Sequence, residues 1–525
     1  MRALLSTDNK TGLAAFAGGL HRLGWELVAT GRTLATLVDA GLPVRSVAEI
    51  SGSPEMLGGR VKTLHPLIHG GILARTSDPD DQRDILEHQL PLFDMVVVNL
   101  YPFLELLKQA DLSSEQRIEA IDIGGVALLR AAAKNFARVA VVSAPAQYDA
   151  VLTAVEQSEG LTLELRRRLA TAAYRLTAAY DAAIGAWMAR DEPEQFPDRL
   201  VLPLEKIEDL RYGENPHQRA AFYRQLGVAE AGPSLAGATQ LNGREVSFNN
   251  LLDLQAALDA VRDFVSPTVV IIKHTNPCGL ACHPELVEAY RAAHAGDPMA
   301  AYGGVIGCNR VVDEATAREI RPLNYDAIIA PGYDEAAMRI LKRKKQGQMV
   351  VLQTTAPLAP SDPRAAGQPY PLLDLDIKRV SGGLLLQTPD DTRDEQIRLA
   401  PVTKRQPTLE ELADLLFAFR ACKHVKSNCV VLAKHLAIVG TGAGQQSRVL
   451  AAEIAAKKAG DRARGAVMAT DGFFPFSDGV EAGIAAGVTA IIHPGGSIRD
   501  QESIDICDRH GVAMVTSSGL RHFRH

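Results

Sequence analysis

The stretch MRALLSTDNKTGLAAFAGGLHRLGWELVATGRTLATLVDAG, residues 1–41, decides the fold class. Arg2 to Ser6 is an apolar run of strand length, and Leu13, Phe16, Ala17, Leu20 and Leu23 then recur at helical spacing. Gly24 ends that helix, Glu26 to Ala29 makes a second strand, and Thr30-Gly31-Arg32-Thr33 turns into a second helix that Gly41 terminates. Alternation of this kind predicts a parallel sheet covered by helices. Met95-Val96-Val97-Val98 and Val139-Ala140-Val141-Val142 add two buried-strand runs, and Leu161 to Ala189, rich in Ala, Leu and Arg, reads as helix.

Asp191 to Leu204 carries Pro193, Pro197 and Pro203 among acidic residues and reads as a domain boundary. Beyond it, Val269-Val270-Ile271-Ile272, Ile328-Ile329-Ala330, Met349 to Leu352, Leu384 to Leu386, Val430 to Leu432 and Ala490 to Ile492 are strand runs, so the second part is α/β as well. Pro357, Pro360, Pro363, Pro369 and Pro371 crowd a segment that reads as a connection between two subdomains. Lys273-His274-Thr275-Asn276 has an echo in Lys423-His424-Val425-Lys426-Ser427-Asn428, a faint internal repeat. The expected division is residues 1–196, then 200–525 with subdomains at about 200–365 and 366–525.

The chain has 525 residues, 46% hydrophobic and 22% charged, enough apolar material for several cores. Lys plus Arg total 56 against 62 Asp plus Glu, a net charge of -6, which argues against nucleic acid as a partner and leaves small anionic ligands open. Six cysteines at irregular spacings (Cys278, Cys282, Cys308, Cys422, Cys429, Cys507) fit a reducing cytoplasm rather than a disulfide framework. The N-terminus reaches polar residues too early for a signal peptide, and no run has the ~18 apolar residues of a membrane span. Neither export nor membrane insertion is expected.

Four segments lie where strands give way to loops or helices, the place where open α/β sheets bind ligands. Ser6 to Lys10 offers hydroxyls and an ammonium. Thr30-Gly31-Arg32-Thr33 presents N–H groups at a helix N-terminus, which favours phosphate. Gly58-Gly59-Arg60-Val61-Lys62-Thr63-Leu64-His65-Pro66 adds two cations and a hydroxyl, and Ile121-Asp122-Ile123-Gly124-Gly125 sets a carboxylate before a helical run ending at Lys134-Asn135. Taken singly, each segment is as well explained by caps and turns; together they favour a phosphate site. Asn99-Leu100-Tyr101-Pro102-Phe103 brings a phenol to the end of an apolar strand.

Gly59 to Pro66, Asn99 to Phe103, Ile121 to Gly125 and Leu129 to Asn135 resemble the inosine monophosphate (IMP) cyclohydrolase domain of the bifunctional purine biosynthesis family. Its other half is a transformylase acting on the aminoimidazole carboxamide ribonucleotide AICAR. Arg211-Tyr212-Gly213-Glu214-Asn215-Pro216-His217-Gln218, Lys273-His274-Thr275-Asn276-Pro277, Ile329-Ala330-Pro331-Gly332-Tyr333, Lys426-Ser427-Asn428, Gly442-Ala443-Gly444-Gln445-Gln446-Ser447-Arg448 and Arg521 to His525 resemble that half, so the likeness runs end to end.

The resemblance implies an N-terminal methylglyoxal-synthase-like parallel sheet and a C-terminal pair of cytidine-deaminase-like α/β subdomains without zinc. It implies formyl transfer from 10-formyltetrahydrofolate to AICAR, giving FAICAR, then dehydrative closure of FAICAR to IMP. The substrates would be AICAR, FAICAR and folate, with no tightly bound cofactor or metal, and the transformylase sites would lie at a homodimer interface. For formyl transfer it assigns Lys273 and His274 as catalytic, a cation for the oxyanion and an imidazole for the amine proton. AICAR would meet Arg211, Tyr212, Asn250, Tyr302, Gly303, Asp326, Asn428 and Arg448, with Arg211 and Arg448 on the phosphate, and folate would meet Val449, Phe473, Ser497, Ile498, Arg521 and His525. For ring closure it assigns Lys134 as general acid/base beside Tyr101 and Asp122. The nucleotide would be held by Ser6, Asp8, Asn9, Lys10, Thr30, Gly31, Arg32, Thr33, Arg60, Val61, Lys62, Thr63, Val98, Asn99 and Ile123.

Two positions depart from the family pattern. Arg32 replaces a glycine of the usual Ser-Gly-Gly-Thr loop, so it must point outward or contribute its charge. Asp8 stands where a second serine is usual, so it should turn from phosphate or contact ribose. Cys278 and Cys282 lie in the wrong order for a zinc deaminase. Gly440-Thr441-Gly442-Ala443-Gly444 misplaces the third glycine of a dinucleotide fingerprint. Lys342-Arg343-Lys344-Lys345 reads as a solvated helix face, with a folate glutamate tail as the other reading. An N-terminal domain that only senses a phosphorylated effector is the competing function, and it would need no Asp122, Lys134 or Tyr101.

Overall fold

The computed structural model describes residues 1–101, 103–107, 109, 111–157, 160–189, 196–226, 233–354, 358 and 375–525. Pro193 and the run Pro357, Pro360, Pro363, Pro369 and Pro371 lie outside them. The chain separates into two compact units, one made chiefly of Met1–Glu205 and one of the residues from Lys206 onward.

In the first unit β1 (Arg2–Thr7), β2 (Glu26–Ala29), β3 (Val44–Ser46), β4 (Met95–Asn99) and β5 (Ala140–Val142) form an all-parallel sheet of order β3-β2-β1-β4-β5. Leu4, Leu5, Val28, Val96 and Val97 are buried, the pattern of strands covered on both faces. The strand order reverses between β1 and β4, where Ser6 stands opposite Val98 and Thr7 opposite Asn99. A ligand crevice belongs at such a switch point. The long helix falls at Leu163–Met188 and packs Leu169, Ala170 and Ala173 into the core.

The second unit holds β8 (Thr239–Asn242), β9 (Thr268–Lys273), β10 (Asn276–Cys282), β11 (Gly304–Cys308), β12 (Tyr325–Ala330) and β13 (Val350–Gln353), after a ribbon of β6 (Leu204–Leu210) and β7 (Ala220–Gln225). A second ribbon, β14 (Asp376–Val380) and β15 (Gly383–Gln387), precedes β16 (Ala400–Pro401), β17 (Val430–Lys434), β18 (Ala437–Gly442), β19 (Val467–Thr470), β20 (Ala490–His493) and β21 (Ala513–Thr516). The main sheet has 12 strands in the order β16-β21-β20-β19-β17-β18-β10-β9-β11-β12-β13-β8. Its halves repeat one plan. A hairpin (β9/β10 or β17/β18) leads to a parallel ladder (β11 to β13, or β19 to β21) that an antiparallel strand closes (β8 or β16). The halves meet where Ala281 of β10 faces Ala437 of β18.

The duplication corrects the expected echo. Arg244, Asp253, Lys273 and His274 recur at one constant spacing as Arg405, Asp414, Lys434 and His435, so Lys434-His435, not Lys423-His424, is the counterpart of Lys273-His274. Lys423 and His424 follow the helix Leu409–Cys422 and both grip Asp263, at 2.9 and 2.7 Å. Burial alone would raise the Asp263 carboxyl, but the charges and hydrogen bonds of His424 and Lys423 override it and hold it well below the usual carboxylate range. Asp263→Asn should therefore lower stability by about 3 kcal/mol in urea unfolding, since the Lys423 ammonium and the His424 ring lose the carboxylate they share. A depressed carboxyl stabilises fully above about pH 4 and stops as pH falls through its folded value, so the parent should lose stability more steeply than the variant below about pH 4.

Leu384 to Leu386 is a strand, as its apolar run predicts, and one further expectation changes. Leu384 to Leu386 lies in the β14/β15 ribbon, where Leu384 and Leu385 are exposed, because the turn at Ser381-Gly382 folds the segment back on β14 rather than into the main sheet. Of the run Lys342 to Lys345, only Lys342 and Arg343 are solvated. Lys344 is buried, donates to the carbonyls of Ile320, Arg321 and Leu323 and is pushed down to about 8 by burial, while Lys345 pairs with Asp326. All six cysteines are buried without a disulfide; Cys278 donates to Ile271 O at 3.3 Å and Cys282 lies 3.1 Å from Thr268 Oγ1. Among the described residues no helix is long and apolar enough to cross a membrane.

Candidate active sites

In the first unit the four expected segments converge at the β1/β4 switch point. Asn99 Oδ1 accepts the N–H groups of Asp8 and Asn9 at 2.6 and 2.8 Å, and its amide returns a bond to Asn9 O at 2.9 Å. Those two N–H groups are spent inside the protein. Thr30 caps the helix Gly31–Asp39 without a side-chain bond, so the amides of the first turn remain for an anion. Ser6 and Thr30 hydroxyls lie 3.1 Å apart, and Lys10 Nζ donates to Thr33 Oγ1 at 3.1 Å and to Thr7 O. Burial lowers the Lys10 pKa, against the pull of Asp8.

Close approaches bind the segments together. A Cβ on Gly31 would lie 3.0 Å from Lys62 Nζ, and one on Gly124 would lie 3.0 Å from Thr63 Oγ1. Lys62 pairs with Glu55 at 3.4 Å, beside a cavity of about 120 Å³ lined by Thr30, Gly31, Ser46 and Ser53 among others. That volume suits a phosphate-sized group, not a whole nucleotide. The two family departures answer each other, because Arg32 points outward and reaches Asp8 at 3.4 Å.

Asp122 accepts the Gly125 N–H at 2.7 Å, and its own N–H donates to Tyr180 Oη at 2.9 Å. Burial raises its pKa, the N–H groups of Gly125 and Tyr101 oppose this, and Asp8 adds to it. The switch point thus combines a poised carboxyl, two ammonium groups and free helix amides.

Some expected residues fall elsewhere. Lys134 is exposed at the far end of the 11-residue helix Gly124–Lys134, about 15 Å along from the Asp122 end, because the helix runs back to begin β5. The structure does not bring Lys134 to Asp122. Val98 is 1% exposed with its side chain in the core, so only its backbone borders the crevice. Arg60 is paired with Glu119, Val61 bridges to Met56, and Ile123 is exposed beside Asp122.

In the second unit Lys273 and His274 end β9. Lys273 Nζ donates to Tyr302 O at 2.9 Å, which leaves two of its three N–H donors. Gly303, at φ +68°, allows that approach: a Cβ there would lie 3.1 Å from the Nζ. His274 is exposed, and Tyr302 is 69% exposed beside the lysine. Asp326 accepts from Lys345 at 2.7 Å and lies 3.7 Å from Arg244. Asn250 is buried, with its amide oxygen 2.9 Å from Ser247 Oγ. Arg211 lies over the Tyr212 ring at 5.4 Å.

Asn276 Oδ1 accepts the Lys426 N–H at 2.9 Å, Ser427 N–H donates to Arg524 O at 2.9 Å, and the chain then leads to an aromatic face. There the Arg521 guanidinium lies 5.0 Å over Phe473 and 5.9 Å from Phe523, whose ring stacks on His525. Ile498 is fully exposed, with half-buried Ser497 next to it, and half-buried Val449 opens the helix Arg448–Ala459. The C-terminus is pinned rather than frayed: buried His522 pairs with Asp390 at 2.6 Å and Arg524 donates to His424 O at 2.7 Å.

Arg448 requires a correction. It donates to Thr470 Oγ1, Phe473 O, Asn428 Oδ1 and Asp471 Oδ1, the last at 3.0 Å with Asp471 fully buried. Four of five donors are used, so it braces Asn428 and Asp471 and has one N–H for a phosphate. Glu55, Arg244 and Asp253 belong to none of the motifs that the sequence singles out. Aligning residues 244–274 on 405–435 is the signal that would have exposed Arg244 and Asp253.

The first unit is a parallel α/β sheet with an anion crevice at its switch point, and the second is a duplicated α/β sheet with a Lys-His hairpin and an Arg-aromatic face: the class is an α/β enzyme with two reaction centres. The description AICARFT/IMPCHase bienzyme matches residues 132–458, and an MGS-like domain matches residues 12–127. Proteins called bifunctional purine biosynthesis protein PurH are similar throughout. That of Oceanobacillus iheyensis is 45% identical over 524 residues, covering 100% of this chain and 99% of its own. Those of Parvibaculum lavamentivorans and Myxococcus xanthus are 47% and 46% identical, covering 100% of this chain and 97% and 100% of theirs. Among solved structures, the crystal structure of ForH is 41% identical over 35% of this chain and 97% of that one, with a TM-score of 0.32. The chain belongs to the AICARFT/IMPCHase bienzyme family. It is a bifunctional enzyme of purine biosynthesis, with formyltransferase and IMP cyclohydrolase activities.

Proposed function

We propose that formyl transfer from 10-formyltetrahydrofolate to AICAR takes place in the second unit, at Lys273 and His274, and that FAICAR closes to IMP at the switch point of the first. The observation that carries this reading is the continuity of the Lys-His hairpin with the Phe473–Arg521 face through Asn276, Lys426 and Arg524. It offers a flat pterin and its anionic tail a seat beside the dyad. The 5-amino nitrogen of AICAR bonds to the formyl carbon while the bond from that carbon to the folate N10 breaks. His274 takes the amine proton and returns it to the departing N10, and the two free N–H donors of Lys273 support the oxyanion. Arg211, Tyr212, Gly303, Asp326 and Asn428 hold the ribonucleotide, and Val449, Phe473, Ser497, Ile498, Arg521 and His525 the folate.

Ring closure is intramolecular, so positioning supplies much of the rate. The carboxamide nitrogen bonds to the formyl carbon and the formyl oxygen leaves as water. Asp122 accepts the amide proton and Lys62 protonates the formyl oxygen to a hydroxyl; the proton held by Asp122 then passes to that hydroxyl, which leaves as water, while the formamido N–H proton returns to Lys62 as the ring C=N bond forms, with Tyr101 beside them. Lys62, on the loop whose Thr63 meets the start of the Asp122 helix at Gly124, takes the place that resemblance gives to Lys134. Neither step requires a tightly bound cofactor. Each half of the second unit is read as cytidine-deaminase-like without zinc, a reading supported by the hydrogen bonds that occupy Cys278 and Cys282. A homodimer across the transformylase site is supported by the exposure of Met299 (90%), Tyr302 and Ile498 around it. Six unpaired thiols support a cytoplasmic location.

The folate assignment is tested by Arg521→Ala. Formyl-transfer kinetics should show the KM for 10-formyltetrahydrofolate raised about tenfold, worth ~1.4 kcal/mol, with ring closure of supplied FAICAR unchanged. An unchanged folate KM would remove Arg521 from the site.

A further inference from the structure

We infer that Asp253 is the positioning residue of the formyl-transfer site, its carboxylate holding the His274-Thr275 turn that aims the imidazole. The inference rests on the Lys273-His274 reading above. Asp253 stands on the helix Phe248–Arg262, which Ser247 caps, and its Oδ1 accepts the Thr275 N–H at 2.7 Å. His274 and Thr275 have φ of +52° and +61°, left-handed values that cost non-glycine residues free energy and persist only when neighbours hold them. Burial raises the Asp253 carboxyl, while the Thr275 N–H and the charges of His274 and Lys273 act to keep it ionised.

The second half of the sheet supplies an internal control. His435 and Leu436 have φ of +54° and +55°, and their N–H groups donate to Asp414 Oδ2 and Oδ1 at 2.9 and 2.7 Å. Lys434 Nζ donates to Arg464 O at 3.0 Å, and a Cβ on Gly465 would lie 3.2 Å from it, as Gly303 does for Lys273. The surroundings differ. Arg405 is locked to Glu411 at 2.7 and 2.9 Å and to Thr489 O at 3.0 Å, whereas Arg244 stands 3.7 Å from Asp326 in the first half. The fold therefore builds one latch twice. Asp414 serves the fold, and Asp253 serves the fold and the histidine.

The experiment compares full-length Asp253→Ala, Asp253→Asn, Asp414→Ala and His274→Ala. Asp253→Ala should lower the kcat of formyl transfer on the order of 10- to 100-fold, the cost of a displaced catalytic group, with the KM for AICAR within about threefold and ring closure unchanged. Asp253→Asn keeps an acceptor for the Thr275 N–H and should recover most of that kcat. Asp414→Ala should lower the melting temperature as much as Asp253→Ala does and leave kcat unchanged. An unaltered kcat in Asp253→Ala beside an inactive His274→Ala overturns the positioning role alone. Equal kcat losses in Asp253→Ala and Asp414→Ala overturn it too, because the effect is then one of folding. An active His274→Ala overturns the underlying reading.

Discussion

His274→Ala should lose formyl transfer by about 10²- to 10⁴-fold while supplied FAICAR still closes to IMP at the parent rate. The nucleophile in question is a weak amine, its lone pair drawn into the imidazole ring, so the transition state needs a base that can also return the proton to N10. An exposed imidazole at the end of β9, on a turn fixed from below, meets that need. Lys273→Ala should cost about 10²- to 10³-fold, as removal of one oxyanion donor does. It also frees the Tyr302 carbonyl that the ammonium holds, so its KM for AICAR should rise where that of His274→Ala stays level.

Asp122→Asn should slow ring closure about 10²-fold and leave formyl transfer untouched. Asn keeps an acceptor for the Gly125 N–H, so the helix start survives and the loss reports the proton acceptor. In the parent, burial sets the Asp122 pKa above the ordinary carboxylate value, and the ionised form is the one that accepts the amide proton. The ring-closure rate should accordingly fall as pH drops through that raised value, and this acid limb should vanish in Asp122→Asn. Lys62→Ala should also slow closure, by removing the ammonium that protonates the formyl oxygen and lies against the Gly31 and Gly59 loops.

Much of this was legible in the chain because it rests on short-range rules. The period of residues 1–41 dictates a parallel sheet, and the N-terminal candidate segments meet at its switch point because loops after adjacent parallel strands must. What escaped depends on long-range partners. Arg448 reads as a phosphate ligand until Asp471, Asn428 and Phe473 are seen to occupy it. Lys134 reads as an acid/base group until a continuous helix carries it away from Asp122. The Lys423-His424 echo matched by identity of two residues, whereas the true repeat preserves the strand, the turn and the aspartate beneath it.

The proposed separation of formyl transfer and ring closure into two centres on one chain is tested by mixing His274→Ala with Asp122→Asn. Given AICAR and 10-formyltetrahydrofolate, each variant alone should form little IMP. The mixture should form it, because Asp122→Asn releases FAICAR that His274→Ala can close. A mixture as inactive as its components would contradict the separation of the two sites.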